Sequence, residues 1–129
     1  MQKSARALIA LALLASIVSF VKFNHCTSTN WSTPDQYIHA CYSDIPALYG
    51  ERGLNKGDWA YSNADASVEY PVITGVIMWA IAQVTPGGER ALQSYYYLNI
   101  ALLALLFIFI SLVVAKMRPE FAYLTPLAP

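Results

Sequence analysis

The chain has 129 residues, is 57% hydrophobic and only 12% charged, and carries no formal net charge. Soluble domains hold about 25% charged and 45–50% apolar residues, so this composition points to a membrane protein. The balanced charge excludes the basic footprint of a nucleic-acid binder, and two cysteines exclude a disulfide-dense secreted scaffold.

Met1–Arg6 is short and basic, with Lys3 and Arg6. Ala7–Val21 then runs without a charge. A span needs about 20 residues to cross ~30 Å, so this run crosses only with its flanks, Lys22 snorkelling to the interface. A basic start before a short apolar run also describes a cleaved signal peptide. The exit Ser19-Phe20-Val21-Lys22-Phe23 lacks a clean small-residue cleavage site, which favours an uncleaved anchor over residues 1–23. Either reading sends residues 24–69 to the outer face of the plasma membrane.

Asn24–Ala40 is polar and irregular, with Cys26 and Cys41 at its ends. Outside the cytoplasm the two can pair, and closing a loop of about 15 residues stabilises by roughly 3 kcal/mol. Two free thiols are the alternative, because spacing alone does not establish geometry. His25 and His39 next to these cysteines make an imaginable zinc set, but the spacing matches no known zinc module. Asn30-Trp31-Ser32 fits the N-glycosylation pattern.

Ser43–Gly53 has the punctuation of a short juxtamembrane helix. Ser43 or Asp44 can cap its start, Pro46 fits the first turn, and Gly53 fits the position after the end. Ile45, Leu48, Tyr49 and Arg52 share one side. Asn55–Asp58 reads as a turn and Trp59–Ser67 as a loop.

Residues 70–129 begin with the apolar run Tyr70–Val84, opened by Pro71 with Glu69 just before it at the positive helix end. The run is short and contains Gln83, so a re-entrant helix competes with a span. Thr85–Arg90 is a turn. Tyr95–Ala115 is the firmest span, with Tyr95-Tyr96-Tyr97 in the interface belt and Lys116 and Arg118 closing it. Lys3 and Arg6 favour an N-terminus inside, whereas three spans would put Lys116 and Arg118 outside, against the positive-inside rule. The expected architecture is an all-α membrane protein of about three spans with a polar extracytoplasmic first loop. Tyr123–Pro129 is apolar and reads as the entry to a further segment of a longer chain.

The loop carries the chemistry-bearing residues. Asp44 either caps its helix, worth about 1 kcal/mol, or acts as a general base at the membrane face. A sugar hydroxyl attacking an activated sugar must lose a proton, and a positioned carboxylate can take it. The leaving phosphate needs positive charge, from Arg52 or from a divalent cation. Asp58, Asp65 and Glu69 are helpers or solvated loop charges; spacing does not choose among them.

Cys41-Tyr42-Ser43-Asp44-Ile45-Pro46, Leu48-Tyr49, Arg52-Gly53, Glu69-Tyr70-Pro71-Val72, Thr74-Gly75 and Met78-Trp79 together carry a resemblance. They resemble the N-terminal part of an actinobacterial membrane family. These are polyprenyl-phosphate-sugar-dependent glycosyltransferases of the GT-C type, close to the mannosyltransferases of glycosyltransferase family 87. The resemblance implies a multi-span helical enzyme with an acidic residue in its first outer loop, at Asp44. It implies a polyprenyl-phosphate-linked sugar donor, an envelope glycolipid or glycan acceptor, and inversion at the sugar. Arg52 would meet the donor phosphate, and Glu69 and Tyr70 would shape the rim. A small non-enzymatic membrane subunit whose outer loop binds a partner is the rival expectation. A transporter fragment is disfavoured, because the acids lie in the loop and not within the spans.

Overall fold

The computed structural model describes residues 2–62 and 67–117, with side chains from residue 6 onward. Asp65, Arg118 and the Tyr123–Pro129 stretch lie outside the described residues. Within them the chain is all-helical: α1 is Gln2–Asn24, α2 Asp35–Ile38, α3 Asp44–Glu51, α4 Val72–Val84 and α5 Ala91–Met117. Short 3-10 turns cover His25–Thr29 and Leu54–Lys56. The chain divides into two compact units, one of Met1–Lys22 with Ile100–Pro129, the other of Phe23–Asn99.

The first unit holds most of the two long apolar helices. Neither α1 nor this part of α5 contains a glycine or proline to interrupt it. Leu8 and Ala12, one helical turn apart, are buried, as is Ser111, whose hydroxyl donates to the Phe107 carbonyl at 2.8 Å. The remaining apolar surface is open: Leu14, Ile17, Val18 and Val21 on α1, and Leu103, Leu105, Phe109 and Ile110 on α5. Arg6–Thr29 and Ala91–Met117 are long and apolar enough to cross a membrane. Helices apolar on nearly every side fit a lipid solvent better than water.

α4 does not match them in length. Its 13 residues span about 20 Å, short of the ~30 Å hydrocarbon core. Pro71 sets its start, and Thr85, in extended conformation before Pro86, ends it. Two helices of spanning length are therefore present among the described residues, and α4 is a shorter apolar helix.

The second unit is built on α3, α4 and the first turns of α5. Leu48, Tyr49, Leu54, Ala60, Val68, Met78 and Tyr95 form its core. The Tyr49 and Tyr95 rings stack with centroids 4.3 Å apart. α3 starts at Ser43, whose extended backbone turns its Oγ to accept from the Ile45 amide at 3.3 Å. Ser43, not Asp44, is thus the cap, which leaves the Asp44 carboxylate for other partners. The helix ends where Gly53 turns to φ +70°, a left-handed conformation that glycine enters without strain.

The polar segment after α1 is fastened at several points. Cys26 and Cys41 form a disulfide. The Trp31 indole donates to the Phe23 carbonyl at 3.2 Å, and its ring packs on Tyr96. The Tyr97 hydroxyl donates to Asn24 at 3.0 Å, and Gln93 donates to Asn30 at 2.6 Å.

Gly75 is a close-approach glycine. A Cβ there would meet the Tyr61 hydroxyl, which lies 3.0 Å from the Tyr70 carbonyl and 3.2 Å from that of Pro71. Gly75→Ala is expected to displace Tyr61 and destabilise by about 1–3 kcal/mol. A lowered thermal midpoint by near-ultraviolet circular dichroism is the measurement. Gly50→Ala, where a Cβ meets nothing within 4 Å, should leave the midpoint unchanged or raise it.

Candidate functional site

The first turn of α3 and the approach to α4 enclose a cleft of about 280 Å³. Tyr42, Asp44, Leu48, Glu51, Arg52, Glu69 and Tyr70 line it. Asp44, Arg52, Glu69 and Tyr70 thus share one cleft, although the two pairs come from separate stretches of chain. All of them belong to the second unit.

The Asp44 carboxylate is the centre. The Tyr70 hydroxyl donates to its Oδ2, across 26 positions of sequence. The Tyr42 phenol stands beside the same carboxylate. A hydrogen bond to an ionised acceptor is roughly twice as strong as a neutral one. The Tyr70 phenol therefore orients the carboxylate, with Tyr42 beside it.

The carboxylate acts back on the phenols. Losing a proton beside a carboxylate forfeits the hydrogen bond and sets two negative charges together. Tyr42 is pushed up to about 12, first by its bond to Asp44, then by burial and the Asp44 charge. Tyr70 is raised for the same reasons, with Glu69 adding to the effect. Both stay neutral donors throughout the physiological range.

Arg52 and Glu69 form the second contact. Arg52 Nη2 lies 2.9 Å from Glu69 Oε1. The Glu69 side chain is largely exposed at 79%, so the pair is worth only about 0–1 kcal/mol. Arg52 Nε is buried with no hydrogen-bond partner, so the guanidinium keeps unused donor capacity. An incoming anion that displaces Glu69 would find that charge available.

The other candidates lie elsewhere. Asp58 packs beside Gly53, where a Cβ would meet its carboxylate. The disulfide takes both sulfurs out of the imagined zinc set. His25 and His39 instead meet edge to face at 4.7 Å, and His39 Nε2 lies 3.6 Å from Asp35. Among the described residues no group of three His, Cys, Asp or Glu side chains is placed to hold a metal ion. Among the described residues that line the cleft, Arg52 is the cationic group.

Sequence reasoning counted Glu51 among the loop carboxylates without giving it a role, and overlooked Tyr42 as a lining residue of the cleft. A signal for Tyr42 existed. It stands two positions before Asp44, and residues two apart in an extended segment point to the same side.

In comparison with known proteins, the chain matches no family model, no curated protein and no solved structure.

The Tyr42 shift has a sign that can be checked. Its value in the fold lies above the ordinary 10.0, so the stabilisation from the neutral phenol is complete below about pH 10. It is lost as pH rises towards about 12. In a spectrophotometric tyrosine titration, Tyr42→Phe should remove one late-ionising phenol. Asp44→Asn should move the ionisation of Tyr42 and Tyr70 to lower pH.

Proposed function

We propose that the chain forms part of an integral membrane glycosyltransferase of the GT-C type. It would move a sugar, mannose in the nearest reading, from a polyprenyl-phosphate donor to an envelope glycolipid or glycan. The observation that carries this reading is the single cleft holding Asp44, Arg52, Glu69 and Tyr70. Two helices of spanning length support a multi-pass plasma-membrane location for it. The Cys26–Cys41 disulfide supports an extracytoplasmic placement of the 24–69 loop, since such bonds persist in oxidising compartments.

The chemistry follows from the charges. An acceptor hydroxyl enters beside Asp44 and takes the place of one phenol on the carboxylate. Its oxygen bonds to the anomeric carbon of the donor sugar as the bond from that carbon to the phosphate oxygen breaks. The leaving oxygen keeps the electron pair and departs as polyprenyl phosphate. The hydroxyl proton passes to Asp44, and the configuration at the sugar inverts. Tyr70 remains a neutral donor that holds Asp44 in place. Arg52, released from Glu69, balances the negative charge that builds on the phosphate.

A second reading rests on the same contacts taken at face value. Asp44 and Arg52 are both paired within the cleft. That internal pairing suits a clasp in a non-enzymatic membrane subunit whose outer loop binds a partner.

Membranes containing the full-length enzyme of which this chain would form part, supplied with radiolabelled polyprenyl-phosphate mannose, separate the two. Asp44→Asn should lower transfer to glycolipid by about 10²–10⁴-fold with membrane level unchanged. Transfer retained at the wild-type rate would remove Asp44 from the chemistry and leave the clasp reading.

A further inference from the structure

A second cavity, of about 510 Å³, adjoins the Asp44 cleft. Tyr42, Ala47 and Glu51 line both. Its size falls within the roughly 300–1,000 Å³ of small-molecule sites. Its walls are mostly polar, with Asn30, Ser32, Thr33, Gln36 and Glu51 among them. Gln36 is nearly buried, and its amide donates to Thr33 Oγ1 at 3.2 Å. Asn30 is held by Gln93. These bonds fix two amides on the wall.

Against this polar lining stand two aromatic rings. Tyr37 and Tyr42 stack with centroids 5.6 Å apart and planes 13° from parallel. They are 60% and 42% exposed, so the pair is not part of the core. An exposed aromatic stack beside fixed amides and a carboxylate suits one ligand chemistry closely. A pyranose ring lays its C–H face on an aromatic ring. Its hydroxyls, each a donor and an acceptor, then pair with amide and carboxylate groups.

We infer that this cavity is a glycan subsite in which the Tyr37–Tyr42 stack carries a hexopyranose ring and Asn30, Gln36 and Glu51 hold its hydroxyls. Tyr42 joins the two cavities: its ring belongs to the stack, and it lines the Asp44 cleft as well. The sugar on the platform is the acceptor, with one hydroxyl presented to Asp44. That assignment rests on the glycosyl-transfer reading of the cleft, whereas sugar binding on the platform is measurable without any transfer.

The full chain in lipid nanodiscs, titrated with mannotriose and with maltotriose, tests the inference by saturation-transfer nuclear magnetic resonance. At least one trisaccharide should bind saturably to the wild type. Tyr37→Ala should weaken that binding by about tenfold, and Tyr37→Phe should keep it. Absence of saturable binding by both sugars would overturn the subsite, as would undiminished binding by Tyr37→Ala. Transfer lost in Asp44→Asn with undiminished trisaccharide binding in Tyr37→Ala would sink the subsite alone. Binding lost in Tyr37→Ala with transfer surviving Asp44→Asn would support the subsite and sink the base alone.

Discussion

The arrangement of the second unit depends on one buttressed carboxylate. Asp44 opens α3, and the hydroxyl of Tyr70, just before α4, donates to it. The Arg52–Glu69 pair ties the far end of α3 to the same approach segment. Both are exposed hydrogen bonds to an ionised carboxylate, so solvent screens each of them. Together they close the cleft, and everything assigned to the site lies within their reach.

The second frame is the clamped segment after α1. The disulfide joins Cys26 to Cys41, directly before Tyr42. Trp31 wedges between the Phe23 carbonyl and the ring of Tyr96. This fixes the backbone that delivers Tyr42, and Tyr42 in turn reaches Asp44. The polar segment is thus a wall of the site and not a slack connection.

The proposed chemistry places two demands on the same carboxylate. It must be held still, and it must accept a proton. The Tyr70 phenol meets the first demand. In the proposed reaction the acceptor hydroxyl meets the second, and the exposed Tyr37–Tyr42 stack would be the place from which it arrives.

Local features of this chain were readable from its residues alone. The apolar runs that became α1 and α5 stand out because a long stretch without charge is visible residue by residue. Ser43 and Gly53 mark the ends of α3 because capping involves atoms only a few positions apart. The shortness of α4 could likewise be counted between Pro71 and Pro86. What only the tertiary structure decided was which side chains meet: Asp44 with Tyr70, Arg52 with Glu69, Cys26 with Cys41, and Tyr37 with Tyr42 on one platform. Those meetings join segments up to 26 positions apart, and no periodicity reports them. They follow from how α3, α4 and the start of α5 bury one shared core, a property of the whole lobe and not of any stretch within it.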